Sequence, residues 1–304
     1  MAVYNGVSYL REQIDSILNQ DYLDWELLIS DDCSTDGSLD VIREYCARDS
    51  RIRLVLDEEH YGGAKKHFMA LLRLADAPYV LTCDQDDVWD KNKVSLTLDC
   101  MRAQEKETSP VLVCTDLRVV NESLELLSPS FLEYSGMDAS CLGLGYFLAS
   151  CLVTGCTMMV NRPLLELLQV PVDEDKLIMH DWWGSLLASA FGTVFYLNQT
   201  TISYRQHGNN SVGAEHFTVA GALAGLQQKR RTELAALEQA SELYRVFADK
   251  LDSFQKQQVE AFLAIKDASP LRRVELLGKA DAWRHGILRN AGTLFTFMTL
   301  KSGR

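Results

Sequence analysis

Apolar positions in the first 110 residues switch repeatedly between a helical and a strand period. Tyr9, Leu10, Gln13, Ile14, Ile17 and Leu18 form one helical stripe, with Ser8 placed to cap it. Residues 25–29 are a short apolar run that reads as a strand ending in Ser30-Asp31-Asp32. The turn Cys33-Ser34-Thr35-Asp36-Gly37 then leads into a helix with Leu39, Val41, Ile42 and Tyr45 on its apolar side. Residues 51–56 predict another strand, 64–74 another helix and 78–83 a further strand. This alternation predicts an α/β fold, a Rossmann-like, mostly parallel sheet flanked by helices. Ligands of such sheets bind beyond the carboxyl ends of the strands. Asp31/Asp32 and Asp84/Asp86/Asp87 both follow predicted strands, so they are expected to meet in one crevice. Met1-Ala2-Val3-Tyr4 reads as the end of a first strand, with Asn5-Gly6 as its turn. Central strands usually have about five or six residues, so a few more are expected upstream.

After residue 111 the pattern predicts shorter strands and longer loops. A polar cluster, Met179-His180-Asp181-Trp182-Trp183, opens a helix through Leu186, Leu187 and Phe191, and strands follow at 193–197 and 200–204. From about Ala214 the pattern is helical throughout. Residues 139–161 carry no charge and are long enough to span a bilayer. Gly143, Gly145 and Gly155, with Ser, Thr and Cys between them, favour instead a buried helix, a glycine turn and a strand.

Composition narrows the picture. An apolar fraction of 47% and a charged fraction of 24% suit a soluble globular protein. The net charge of −12 argues against nucleic acid as a partner. The eight cysteines form no Cys-x-x-Cys pair, which speaks against zinc or a redox pair and for reduced thiols in a cytoplasmic protein. The final 40 residues place Arg272, Arg273, Lys279, Arg284, Arg289, Lys301 and Arg304 among apolar residues. Such a tail reads equally as a contact for anionic lipid or as a helix pair packed on the core.

The densest chemistry lies in Cys83-Asp84-Gln85-Asp86-Asp87-Val88-Trp89, three carboxylates within four residues at a strand end. Like charges so close repel. They are accounted for by a solvated acidic turn or by a hard divalent ion, Mg²⁺ or Mn²⁺, that bridges carboxylates to phosphates. Asp181, at a helix start, reads equally as an N-cap or as a base.

The ordered set of these segments resembles the inverting family 2 glycosyltransferases of GT-A fold. It comprises Val3-Tyr4-Asn5-Gly6, Asp31-Asp32-Cys33-Ser34-Thr35-Asp36-Gly37, Asp84-Gln85-Asp86-Asp87-Val88-Trp89, Thr154-Gly155-Cys156, His180-Asp181-Trp182-Trp183 and Tyr204-Arg205-Gln206-His207-Gly208-Asn209-Asn210. The Asp-Gln-Asp-Asp-Val-Trp form and the Tyr-Arg-Gln-His-Gly-Asn-Asn form are most similar to the rhamnosyltransferase branch of bacterial surface polysaccharide synthesis. The resemblance implies a catalytic domain over 1–212, with a nucleotide-sugar half (1–110) and an acceptor half (111–212); it leaves a helical region over 213–304, whose basic tail is the candidate for contact with the inner face of the cell membrane. It also implies roles. Ala2, Val3, Tyr4 and Asp32, or its neighbour Asp31, would hold the nucleotide base. Asp84 would face the sugar or ribose, and Gln85 would belong to the nucleotide-sugar site. Asp86, with Asp84 and His207, would hold Mg²⁺ or Mn²⁺; His207 reads also as a structural histidine. Asp181 would be the general base, and Gly155, Trp182 and Trp183 would meet the acceptor, with at least one tryptophan in the core. The implied reaction transfers L-rhamnose from dTDP-rhamnose onto a lipid-linked or growing glycan, with a UDP-hexose donor as the alternative. A dinucleotide-dependent oxidoreductase would need Gly-x-Gly-x-x-Gly after the first strand, and only Asn5-Gly6 occurs. A non-catalytic sugar-nucleotide sensor would have no need of both Asp86 and Asp181.

Overall fold

Three strands, β1 (Ala2–Val3), β2 (Leu27–Asp31) and β3 (Ile52–Leu56), form a parallel sheet in that order in the computed structural model. The model describes residues 1–56, 60–106, 108–208, 226–284 and 286–299. Helices Val7–Leu18 and Ser38–Arg48 make the crossovers, and their apolar stripes (Leu10, Ile14 and Ile17; Val41, Ile42 and Tyr45) are buried against the strands. The first helix starts at Val7 with Gly6 as its cap and no side-chain cap, so Ser8 lies inside the first turn and not at the position expected of it. Gly6 N–H donates instead to Ser38 Oγ at 2.9 Å.

β4 (Tyr79–Leu81), β5 (Val88–Trp89), β6 (Val111–Val120), β7 (Leu126–Ser128), β8 (Met158–Asn161) and β9 (Thr193–Arg205) form a second, mixed sheet ordered β4-β8-β6-β9-β5, with β7 on β6. Only β6 and β9 run parallel within it. The second half therefore holds the two longest strands, of 10 and 13 residues, where shorter ones were expected. The two strands expected at 193–197 and 200–204 are one. Pairing runs from Leu197↔Thr115 to Thr200↔Asp116, so polar Asn198 and Gln199 are taken up as a bulge and not as a turn. The Met1 amine extends the first sheet beyond β1, donating to Leu28 O of β2 at 2.7 Å. A cavity of about 560 Å³, lined by Met1, Leu27, Leu28, Phe68, Leu72 and residues 78–83, lies between β2 and β4.

The uncharged stretch at 139–161 folds as the buried helix Leu144–Ala149, a turn at Gly155–Thr157 and β8. Among the described residues no helix is long and apolar enough to cross a membrane. Helices Leu226–Phe247, Ser253–Ala264, Pro270–Ala280 and Ile287–Met298 follow. Leu237, Ala240, Leu243, Phe247, Val259 and Phe262 share one apolar cluster with helices Leu144–Ala149 and His180–Phe191. The C-terminal helices are thus part of the same core as helices Leu144–Ala149 and His180–Phe191. The boundary expected at 212/213 falls outside the described residues. Of the basic tail, Arg273 is buried and donates to Ile265 O, Lys266 O and Phe297 O. Arg284 pairs with Glu233 and donates to Ala149 O, and Arg289 donates to Ser135 O. Lys301 and Arg304 lie outside the described residues.

Candidate active site

A cavity of about 660 Å³ opens beyond the carboxyl ends of β2 and β4. Ala2, Val3, Tyr4, Asp32, Asp84, Gln85, Asp86, Gly155, Asp181 and Trp182 all line it, so both acidic clusters and the His180-Asp181 segment converge as expected. Asp31 and Trp183 do not line it, and His207 reaches it only through Asp86.

At one end, Asp32 follows β2. Its carboxylate accepts from Tyr61 N at 2.5 Å and Gly62 N at 3.2 Å, and His60 Nδ1 lies at 3.0 Å. Asp31, 1% exposed, points away: Oδ2 accepts from Ser34 N at 2.9 Å, while Oδ1 is buried without a partner. Of the two neighbours, Asp32 is the one that faces the cavity. Gln85 is a clamp. Its Oε1 accepts from Tyr4 N at 2.8 Å and its Nε2 donates to Tyr4 O at 3.0 Å, tying the acidic loop to the end of β1. A Cβ at Gly6 would sit 2.2 Å from Gln85 Oε1, so that clamp requires glycine there. Gln85 was expected in the nucleotide-sugar site; it lines the cavity, with both its amide atoms engaged by Tyr4.

Beneath the clamp, Asp84 and Asp87 carboxylate oxygens and the Cys156 thiol lie within 4.8 Å of one another. Burial, then Asp86, then Asp181 push the Asp84 carboxyl up to about 7. Burial with Asp84 and Asp86 likewise holds Asp87 well above the carboxylate range, and its Oδ2 is buried without a partner. Carboxylates crowded until they retain protons are a set of hard oxygen donors lacking a counter-charge, which fits a hard divalent cation. Cys156 does not fit such an ion, because burial holds its thiol well above its ordinary value. His207 Nε2 lies 2.8 Å from Asp86 Oδ2. Arg205, 2% exposed, donates to Asp86 O at 2.9 Å and to Glu122 O, pairs with Glu12 and lies over the Tyr9 ring. Lys93, fully buried, sits 4.8 Å above the Trp89 ring, where burial lowers its ammonium to about 8.

At the other end, helix His180–Phe191 has Met179 as its N-cap with no side-chain cap, so Asp181 lies in the first turn and is not an N-cap. Burial pushes its carboxyl up to about 6, against the pull of Trp182 N–H, Gly155 N–H and its own N–H. Trp182 N donates to Asp181 Oδ1 at 2.6 Å. Gly155 is held by Thr82 Oγ1, which donates to its carbonyl. A Cβ on Gly155 would meet His180 Nε2 at 2.7 Å, so this backbone approaches helix His180–Phe191 too closely for a larger residue. His180 stacks on Phe68 at 4.1 Å. The two tryptophans separate: Trp182 borders the cavity, its Nε1 donating to Phe147 O, whereas Trp183 is wholly buried against Phe247. Helical geometry turns neighbouring residues about 100° apart, so Trp183 faces the core and not the acceptor side expected of it.

The family model for glycosyl transferase family 2 matches residues 1–158. The chain belongs to this family. The dTDP-rhamnosyl transferase RfbG of Shigella flexneri is 30% identical over 225 residues, 70% of this chain and 74% of that one. A UDP-Glc:alpha-D-GlcNAc-diphosphoundecaprenol beta-1,3-glucosyltransferase, WfgD of Escherichia coli, is 28% identical over 174 residues, 56% of this chain and 62% of that one. Among solved structures, S. aureus TarS 1–349 in complex with UDP-GlcNAc is similar at a TM-score of 0.55 and 16% identity, covering 92% of this chain and 87% of that one. The mannosyltransferase PcManGT from Pyrobaculum calidifontis, in complex with GDP-Man and Mn²⁺, is similar at 0.57 and 18%, covering 97% and 77%. The protein is thus a glycosyltransferase with the GT-A arrangement of sheets and helices.

Sequence reading passed over several lining residues. His60, Gly62 and Gly63 follow β3, and the Gly-Gly pair was the available signal. Phe68, His67 and Ile178 carry no local signal, because they line the cavity only once the helix Ala64–Leu74 packs beside the helix His180–Phe191.

Proposed function

We propose that this glycosyltransferase is metal-dependent and inverting, and that it moves a sugar, L-rhamnose from dTDP-rhamnose in the first instance, onto a hydroxyl of a lipid-linked or growing glycan. One observation carries the reading: a half-buried carboxylate, Asp181, faces the same cavity as Asp84 and Asp86, close enough that its charge raises Asp84. The donor's base would lie against Ala2, Val3 and Tyr4, with its N3–H on the remaining lone pairs of Asp32. Asp84 and Asp86 would hold Mg²⁺ or Mn²⁺, with His207 orienting Asp86. When bound, that ion supplies positive charge to the departing diphosphate. Asp181 takes the proton from the acceptor hydroxyl, the hydroxyl oxygen bonds to the anomeric carbon, and the bond from that carbon to the diphosphate breaks. Attack opposite the leaving group inverts the anomeric centre. A carboxylate near pKa 6 is ionised at neutral pH yet basic enough to share the proton, help worth about 10²–10⁴-fold. Trp182 and Gly155 would border the acceptor sugar. The dTDP-rhamnose assignment draws on the similarity to RfbG, and the lipid-linked acceptor on the similarity to WfgD.

Nucleoside diphosphate release from a panel of sugar nucleotides, with Mn²⁺, Mg²⁺ or EDTA, tests this. Metal-dependent turnover of dTDP-rhamnose is expected. Turnover of a UDP-hexose instead would replace the donor, and turnover in EDTA would overturn the metal requirement.

A further inference from the structure

The peptide unit joining Leu177 to Ile178 is gripped from two sides. Lys65 Nζ donates to Leu177 O at 2.7 Å, and Ile178 N donates to Gln239 Oε1 at 3.0 Å. The two side chains come from helices far apart in the chain, Ala64–Leu74 and Leu226–Phe247. Gln239 is 1% exposed, so its amide oxygen is committed to this one backbone N–H in a place where water cannot substitute. The gripped unit ends three residues before Asp181. Ile178 and Met179 line the cavity, and Met179 O accepts from Trp183 N at 3.0 Å to start the catalytic helix.

The residues before it are held as well. Asp173 N donates to Glu242 Oε1 at 2.7 Å, Lys176 pairs with Glu242, Lys66 pairs with Asp175 at 2.7 Å, and Arg73 pairs with Glu174. Glu242 is fully buried one turn beyond Gln239. Surface ion pairs such as Lys66–Asp175 contribute little rigidity. The two buried acceptors on helix Leu226–Phe247 and the lysine on Leu177 O set the backbone.

We propose that Lys65 and Gln239 are positioning residues for Asp181: by fixing the Leu177–Ile178 peptide plane from both sides they set where the base carboxylate meets the acceptor hydroxyl. This rests on Asp181 being the base. It makes helix Leu226–Phe247 a working part of the acceptor half. A base displaced by about 1 Å costs up to about 10²-fold in rate without altering donor contacts.

Lys65→Met and Gln239→Met keep the side-chain length and each remove one hydrogen bond. Both are expected to lower kcat for donor turnover, read as nucleoside diphosphate release, by about 10–100-fold with donor KM unchanged. Gln239→Glu, whose carboxyl oxygen still accepts from Ile178 N–H, is expected to restore most of the loss. Wild-type kcat in both methionine variants, beside an inactive Asp181→Asn, overturns the positioning role alone. An active Asp181→Asn overturns the base assignment beneath it. A kcat loss matched by an equal rise in donor KM, with no rescue by Gln239→Glu, marks a merely structural residue and overturns the proposal. Should Gln239→Met fail to fold, Lys65→Met, at a partly exposed side chain, decides by the same readouts.

Discussion

His207 Nε2 lies 2.8 Å from Asp86 Oδ2, joining segments 121 residues apart. The imidazole also stacks on Tyr9 at 4.8 Å, which fixes its plane. In this position it orients the carboxylate assigned to the metal. Outer partners of metal ligands typically contribute about 10–100-fold to metal affinity or activity. His207→Ala is therefore expected to raise the Mn²⁺ concentration at half-maximal activity by about tenfold or more. A Mn²⁺ titration of turnover checks this, and an unchanged midpoint would remove His207 from the metal site.

Gly155→Ala places a methyl group 2.7 Å from His180 Nε2, on the backbone whose N–H bonds Asp181. Either the imidazole or the turn must shift, and the base shifts with it. A loss of about 10²-fold in kcat is expected with little change in donor affinity. Steady-state kinetics and calorimetric nucleotide binding on one preparation separate the two effects.

The raised carboxyl of Asp181 has two pH consequences. Protonation removes the base, so log kcat should rise with pH and level off above about 6. Its folded-state pKa lies above the ordinary carboxylate value of 3.8, so the fold binds the proton more tightly than the unfolded chain. Stability is consequently lost as pH rises from about 4 to about 6. Asp181→Asn avoids that penalty. It is expected to raise Tm at pH 8, with the gain vanishing below about pH 4. Thermal melts across pH read the sign directly.

Much of the fold was legible because the first half obeys local rules. Helix Ala64–Leu74 falls where the apolar period places it, and beyond the first half the glycines at 143, 145 and 155 marked the helix, turn and strand from Leu144 through β8. The acidic crevice was legible for the same reason: Asp32 and Asp84 each follow a strand. Partners distant in sequence were not. The clamp made by Gln85 was hidden because nothing local shows that Tyr4, 81 residues away, takes both of its amide atoms. The packed part of the basic tail was not legible, because Glu233, Ala149 O and Ser135 O, the partners of Arg284 and Arg289, lie on other helices and turns, while Arg272 and Lys279 stay exposed.

The two adjacent tryptophans should respond differently. Trp183→Ala leaves a core cavity and is expected to destabilise the protein by about 3–5 kcal/mol. Trp182→Phe keeps most of the volume while removing the Nε1 bond to Phe147 O at the cavity wall. It should raise acceptor KM with a small change in Tm. Denaturant unfolding and acceptor titration distinguish them, and the reverse pattern would return Trp183 to the acceptor site.

The most direct measurement compares Asp181→Asn with wild type for sugar transfer under saturating donor and metal, with donor binding measured calorimetrically on the same samples. Donor affinity should be unchanged and the transfer rate lower by about 10²–10⁴-fold. Transfer retained within about threefold of wild type, at equal donor affinity, would contradict the assignment of Asp181 as the base.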